Sequence, residues 1–176
     1  GFSDEDYKLP KLEIINDVVN VDLTNIDDPS LGLFSDIELS ATSYNKEKRL
    51  TAHDRAIKVA EIVSASQDQF IIWCCTNFEA DELKEAIPYA TEVRGSDSPD
   101  FKEKATADFK SGVIRVLISK ASIFGYGMNF QNCHRAIFMG MSYSYEDYYQ
   151  ALKRIHRYGQ KKDVKIDIVI GTTEKN

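Results

Sequence analysis

The sequence has few of the residues that mark disulfide-rich, metal-binding or membrane proteins. Its three cysteines, Cys74, Cys75 and Cys133, are odd in number and have no metal-ligand spacing, which favours free thiols in a reducing compartment. No apolar run approaches the roughly 20 residues of a membrane-spanning helix. No basic and then apolar signal segment opens the chain. We therefore expect a cytoplasmic protein without a membrane partner, and we assign no metal ligand.

Two common nucleotide-binding patterns are also missing. None of the nine glycines opens a Gly-x-x-x-x-Gly-Lys-Ser/Thr loop, and Gly125 and Gly127 do not form a Gly-x-Gly-x-x-Gly motif. No apolar strand-like run ends in the Asp-Glu pair that would hold magnesium. The chain therefore lacks the usual means of binding ATP and Mg²⁺ by itself.

Charge is distributed unevenly along the chain. The formal net charge is −6, which is unusual for a nucleic-acid-binding protein. Residues 1–40 contain ten acidic residues against Lys8 and Lys11, so 41–176 retain 20 basic and 18 acidic residues. Within 150–165, six basic residues face a single acid, Asp163. This concentration of positive charge permits a local anion-binding surface despite the acidic total.

Apolar runs of strand length alternate with stretches of helical periodicity. The aromatic content of 11% and hydrophobic content of 43% are typical of a folded domain. The predicted strands are 12–22, 69–76, 90–94, 114–119, 135–140 and 164–170. One predicted helix begins at residue 51, and three others span 80–87, 99–110 and 144–157. Residues 23–45 are predicted to be a loop. This order predicts an α/β fold with a mostly parallel central sheet and helices on both faces.

The most informative stretch is Gln-Ala-Leu-Lys-Arg-Ile-His-Arg-Tyr-Gly-Gln at 150–160. On a helix, Arg154 and Arg157 lie on one face because they are three residues apart. Guanidinium groups keep their charge and form paired hydrogen bonds with phosphate oxygens. The alternative is a basic helix end that complements the macrodipole and is capped by Gly159.

This stretch resembles motif VI of superfamily-two helicases, most closely the Swi/Snf-type DNA translocases and their phage and prophage relatives. The passage 8–24 is similar to the strand that leads into the second motor lobe of that family. The resemblance covers roughly 8–172 and implies a RecA-like three-layer α/β/α sandwich. It divides the chain into a lead-in at 1–11, a helicase C-terminal domain at 12–172 and a tail at 173–176.

The resemblance also implies roles for individual residues, because loops after the predicted strands look like motifs IV and V. Arg154 and Arg157 would be catalytic arginine fingers. The implied ATP-binding residues are Gly125, Gly127, Asn129 and Gln150. The implied nucleic-acid-binding residues are Thr76, Asn77, Arg94, Gly95, Ser96, Ser119 and Lys120. Arg94 stands where the family usually has Asp, so the role of that acid does not carry over.

Simpler structural roles compete with two of these assignments. N-capping is the simpler explanation of Asn77 at a helix start. The spacing of Tyr145, Tyr148, Tyr149 and Leu152 favours burial in the core over a ladder for stacking bases.

Taken together, the resemblance implies half of a two-lobed motor. A first RecA-like lobe would hold ATP and Mg²⁺, and the two lobes would move along DNA, with RNA as the alternative polymer. This lobe alone would not hydrolyse ATP. Two other functions remain open from the residues: a stand-alone nucleotide-binding α/β module, and an inactive interaction domain that retains the motor fold.

Overall fold

The computed structural model describes residues 8–20, 41–124, 128–141 and 144–172, without the side chains of 41–47. Within these residues there are six strands and four helices. The strands are β1 (Leu12–Val19), β2 (Phe70–Cys74), β3 (Thr91–Val93), β4 (Val116–Lys120), β5 (Arg135–Met139) and β6 (Val164–Gly171). The helices are α1 (Ala41–Ser64), α2 (Asn77–Ala86), α3 (Pro99–Lys110) and α4 (Tyr145–Leu152).

All six strands form one parallel sheet in the order β1-β6-β5-β2-β4-β3. The apolar strand β2 lies near the middle, where its register pairs Ile71 with Leu117 of β4 and with Ala136 of β5. Every β2 residue is buried, as expected for a strand covered on both faces. The predicted α/β fold with a parallel sheet is confirmed.

Helices cover both faces of this sheet and complete three layers. Ile71 and Trp73 point to the face where α3 and α4 pack. The intervening residues Phe70, Ile72 and Cys74 point to the face covered by α1 and α2. This alternation is the period of two expected of a strand, and it divides the core into two clusters.

The bounds of α3 agree with the prediction because its start is encoded locally. The Ser98 hydroxyl accepts a hydrogen bond from Phe101 N at 3.2 Å, and Pro99 occupies the first helical position. The predicted start of α1 at residue 51 is wrong, since the helix begins at Ala41. Its first turns lack the apolar spacing on which the prediction depended.

Some sequence predictions lie outside the described residues. They concern Gly125 and Gly127, most of the lead-in, the part of the predicted 23–45 loop up to residue 40, and the tail from 173. Among the described helices, none has the length and apolar character needed to span a lipid bilayer.

Candidate functional site: a cationic groove after α4 and a polar sheet edge

The two arginines of the sequence motif do not lie on a helix. Helix α4 ends at Leu152, with Lys153 as its C-cap, so the predicted helix to residue 157 and the predicted capping by Gly159 are wrong. The chain continues as tight turns, in which Ile155 N donates to Leu152 O at 3.2 Å and Gln160 N donates to Arg157 O at 3.0 Å. Compact turns therefore take the place of the helix in positioning the arginines.

Contacts with distant parts of the chain hold these turns. Gln160, 8% exposed, donates through Nε2 to Cys133 O at 2.9 Å and to Ile155 O at 3.1 Å. The backbone oxygen of Arg154 accepts from Phe130 N at 2.9 Å. His156 is also buried and donates through Nε2 to Pro10 O at 2.9 Å. His156 therefore ties the turns to the lead-in to β1.

The turns leave an open groove of about 310 Å³ beside α4. Its described lining residues are Met128, Gln150, Lys153, Arg154, Arg157 and Tyr158. Three of these side chains are cationic and none is acidic. Gln150, predicted to bind ATP, is thus placed together with the two arginines predicted to be catalytic. Lys153 joins them; the sequence motif predicts no individual role for it, although its charge belongs to the basic cluster at 150–165.

Arg154 is the most unusual side chain of the groove. It is only 5% exposed, its Nη1 lies 3.5 Å from Met128 O, and its buried Nε has no hydrogen-bond partner among the described residues. Burial, followed by the charge of Arg157, lowers the pKa of Arg154. Because no acid pairs with this buried cation among the described residues, an entering oxyanion would satisfy its hydrogen bonds and offset its charge.

Asn129 has a local structural role in the described chain. Its Oδ1 accepts from Gln131 N at 3.0 Å, which shapes the turn next to the groove residue Met128. This bond fits a residue that supports a nucleotide-facing loop rather than one that itself contacts the ligand. The predicted ATP-binding role of Asn129 remains a prediction.

The residues predicted to bind nucleic acid follow three neighbouring strands. Strands β2, β4 and β3 are adjacent and parallel, so their carboxyl ends meet at one edge of the sheet. The predicted residues follow or end these strands: Thr76 and Asn77 after β2, Arg94, Gly95 and Ser96 after β3, and Ser119 and Lys120 in β4. This edge is where ligands usually bind to open α/β sheets.

Thr76, rather than Asn77, caps α2. Its side chain accepts from Glu79 N at 3.4 Å, while Glu79 accepts from Thr76 N at 3.1 Å. Glu79 is fully buried and pairs with Arg55 of α1 at 2.9 Å. Asn77 is exposed at the start of the helix, so its side chain is accessible for a phosphate contact.

The other residues of this edge differ in accessibility. Ser119 is 1% exposed and its hydroxyl donates to Val93 O at 2.9 Å, so contact with a nucleic acid would require that bond to break. Gly95 and Ser96 are exposed and Lys120 is partly buried.

Arg94 forms two ion pairs at the same edge. Its hydrogen bonds to Glu92 and then to Asp81 raise the pKa of its guanidinium. The pairing leaves less of its charge available to a phosphate.

The groove and the polar edge face different ends of the sheet. The turns that carry the arginines contact Pro10 just before β1 and Cys133 just before β5, which are amino ends of strands. The polar residues lie at the carboxyl ends. The structure therefore separates the predicted phosphate-binding arginines from the predicted nucleic-acid contacts.

The tyrosines of α4 are only partly in the core. Tyr148 packs on Phe138 with ring centroids 4.8 Å apart, and Leu152 is 8% exposed, as predicted. Tyr145 and Tyr149 are 77% and 42% exposed, so their predicted burial is wrong. Their rings stack on each other with centroids 6.3 Å apart. Only the side of α4 that carries Tyr148, Ala151 and Leu152 packs against the sheet.

Within the described part of the chain, no three His, Cys, Asp or Glu residues are grouped as metal ligands. Cys74 and Cys133 are buried free thiols, and burial raises the pKa of Cys133 to about 12. The candidate chemistry therefore rests on the cationic groove and the polar edge.

The parallel sheet with helices on both faces and paired arginines beside it defines an α/β lobe of the RecA-like type. The sequence of residues 54–159 matches the helicase conserved C-terminal domain. The chain belongs to this family. No curated protein matches the sequence.

Three solved structures resemble this lobe. The C-terminal part of the Fun30 ATPase domain has a TM-score of 0.58 and 23% identity, covering 68% of this chain and 40% of that chain. The yeast DEAD-box splicing factor Prp28 has a TM-score of 0.66 and 15% identity, covering 93% of this chain and 30% of that chain. The Mycobacterium smegmatis helicase Lhr, bound to ssDNA and AMP-PNP, has a TM-score of 0.58 and 16% identity, covering 92% of this chain and 19% of that chain. At these identities the likeness supports the fold alone.

Proposed function

We propose that this chain is the second motor lobe of an ATP-dependent DNA helicase or translocase of the Swi/Snf type. The phage and prophage branch is favoured by the stretch Ser122-Ile123-Phe124 and by the spacing of the motif V-like segment around it. A first RecA-like lobe of the same protein binds ATP and Mg²⁺, and this lobe alone is inactive. The proposed polymer is DNA, with RNA as the alternative.

One observation carries this proposal: Arg154 is buried at the groove beside a second arginine, and its Nε has no hydrogen-bond partner among the described residues. Such a pair is well suited to the triphosphate of a nucleotide held by a facing lobe. Forked guanidinium groups bind the phosphate oxygens and stabilise the charge that develops during phosphoryl transfer. Family membership supports the same role.

Each groove residue has a defined task in this proposal. Arg154 is fixed by its burial and by the bond from Phe130 to its backbone, so it is oriented before ATP arrives. Arg157 is more accessible and closes on the terminal phosphate. Gln150 supplies an amide at the groove wall. The described residues offer no acidic cluster for Mg²⁺, which fits a metal held by the other lobe.

The polar edge is the proposed grip on the nucleic-acid backbone. Asn77 and Ser96 are exposed there, and Lys120 adds a cation. Thr76 lies beside Asn77 and is fixed by its capping bonds. Closure of the two lobes on ATP would move this edge relative to the first lobe. Nucleotide binding would in this way drive movement along the nucleic-acid strand.

The decisive measurement is DNA-stimulated ATPase of the protein encoded by the full open reading frame, beside the 176-residue chain. We expect activity only in the longer protein. Arg157→Ala should lower its turnover on the order of a thousandfold or more, while leaving DNA affinity nearly unchanged. Unchanged turnover in that variant would remove the arginine-finger assignment. ATP hydrolysis by the 176-residue chain alone would instead favour a stand-alone nucleotide-binding module.

A further inference from the structure

A small pocket lies at the carboxyl ends of three central strands. It has a volume of about 90 Å³, and its lining comes from the ends of β2, β4 and β5 and from the first turn of α4. The chain leaves β2 on the side of β3 and β4, and after β4 it crosses to β5 on the other side of β2. Open α/β sheets usually bind ligands at such a change of direction. None of the described residues that line the cationic groove also lines this pocket.

Trp73 gives the pocket a hydrogen-bond donor that has no acceptor. Its side chain is 2% exposed, and its indole Nε1 has no hydrogen-bond partner among the described residues. An indole N–H can only donate, and a buried donor without an acceptor costs free energy. Phe138 and Tyr148, whose ring centroids are 4.8 Å apart, add aromatic walls. A ligand that brings an acceptor into the pocket would supply the missing bond of Trp73.

Two charged residues, Lys120 and Asp147, are among the described lining of the pocket. Lys120 is partly buried and forms no ion pair with any other described residue. The lining therefore offers a cation, an indole donor and a carboxylate acceptor beside aromatic walls. A small inorganic anion would suit Lys120 alone and would be repelled by Asp147. The matching ligand is a flat ring that carries both acceptors and donors and is joined to an anionic group.

A nucleotide unit of a DNA strand has this combination. Its base carries ring carbonyls and N–H groups, and its phosphate suits Lys120. Lys120 also belongs to the polar edge that we propose grips the DNA backbone, and the pocket residue Cys75 directly precedes Thr76 of that edge. The volume is below the roughly 150 Å³ of an engineered cavity that binds benzene. It therefore favours the single ring of a pyrimidine over the fused rings of a purine.

From these observations we propose that the pocket receives a pyrimidine base turned out of the DNA strand whose phosphate lies on Lys120. Trp73 donates to a carbonyl of the base, and Asp147 accepts from one of its N–H groups. The proposal rests on the grip of the polar edge proposed above and adds contact with a base to it. Taking a base out of a duplex requires unstacking and unpairing, so the pocket favours single-stranded DNA.

The fluorescence of Trp73 reports on the pocket directly, because this residue is the only tryptophan of the 176-residue chain. Saturation of this chain with oligothymidylate at low salt should change its emission. A strand of equal length without bases should bind through its phosphates and leave the emission unchanged. An equal change with thymidine monophosphate at the same nucleotide concentration would overturn capture from a strand and assign the pocket to a free nucleotide. No change at saturation with oligothymidylate would also overturn the proposal.

Affinities of the full-length protein provide the second test. Oligothymidylate should bind about tenfold more tightly than the strand without bases, since contact with a base adds to the phosphate contacts. Ala121→Leu, which fills the pocket from its wall, should abolish this difference without weakening binding of the strand without bases. Ala107→Leu on the exposed surface of α3 is the matched control and should preserve it. Trp73→Phe, which keeps a ring but lacks the N–H, should reduce the difference.

The outcomes separate the pocket from the grip on the backbone. Equal affinity of the wild-type protein for the two strands, or an equal loss on both strands in Ala121→Leu, would overturn base capture and leave the backbone contacts in place. Absence of DNA binding by the full-length protein would refute the proposed grip and the pocket together. Circular dichroism of Ala121→Leu shows whether the fold is retained, and Trp73→Phe tests the hydrogen bond independently of pocket volume.

Discussion

Gly159 is a single residue on which the arginine-bearing turns depend. Its φ of +92° lies in the left-handed region, and a Cβ at this position would be 2.6 Å from Gln131 Nε2. That amide donates to Tyr158 O, so the added methyl would also displace a bond that closes the turn. Glycine is favoured here mainly by the backbone conformation, because the end of the flexible Gln131 side chain can move aside at the cost of that one bond.

We expect Gly159→Ala to lower the free energy of unfolding by about 1–2 kcal/mol, the usual cost of a left-handed conformation for a residue with a Cβ. Chemical denaturation of the 176-residue chain measures this change. The control is Gly95→Ala, because no atom lies within 4 Å of a Cβ there and its φ is not in the left-handed region. It should change stability by less than about 0.5 kcal/mol. Equal effects at the two positions would contradict this explanation.

The sequence motif identifies residues that line the groove, but it does not predict which of them are buried. The two arginines and Gln150 line one groove, and their residue types suit phosphate, but their roles remain predictions. The burial of Arg154 depends on Phe130 and Met128, which are more than 20 residues away in sequence. No local pattern contains that information. The exposure of Tyr145 has the same explanation, because periodicity does not show which turns of a short helix pack against another element.

At the scale of elements, α1 and α2 are joined by a buried polar network. Arg55 is fully buried and donates to Glu79 at 2.9 Å, to Thr51 Oγ1 at 3.0 Å and to Lys48 O at 2.7 Å. Glu79 also accepts from Cys75 N at 2.8 Å, at the loop that carries Thr76. The network therefore connects the first helix to the polar edge. Its polar residues explain why apolar spacing alone did not reveal the beginning of α1.

We expect Arg55→Met to destabilise the chain by about 3–5 kcal/mol, because it leaves the Glu79 carboxylate buried without its cation. Adding Glu79→Gln should recover part of this loss, since an amide oxygen still accepts from the loop and carries no charge. Lys104→Ala is the control: Lys104 pairs with Asp108 on the surface of α3, and its loss should cost less than about 1 kcal/mol. Thermal or urea unfolding measures all three. A cost for Arg55→Met no larger than that of the control would show that the network adds little stability.

At the scale of the whole molecule, the sheet order places the last described strand inside the sheet. Strand β6 comes last in the described chain but lies between β1 and β5. It pairs with β1 over eight residues, from Leu12 with Val164 to Val19 with Gly171. Its Ile166 and Ile168 belong to the same core cluster as Trp73 of β2. The matched family region, 54–159, contains neither β1 nor β6.

This topology predicts that 54–159 cannot fold alone although it contains the matched helicase motifs. Without β6, the edge of β5 loses its hydrogen-bonding partner and the apolar face beneath α4 is exposed to water. Residues 8–172 should unfold cooperatively in urea with native circular dichroism, whereas 54–159 should show neither a cooperative transition nor a native spectrum. An intermediate fragment, 20–172, lacks only β1 and should retain the fold at reduced stability, because β1 is an edge strand and β6 is not. If 54–159 unfolded as cooperatively as 8–172, β1 and β6 would be additions to a core that folds without them. The hydrogen bond from His156 to Pro10 would then be dispensable for the groove.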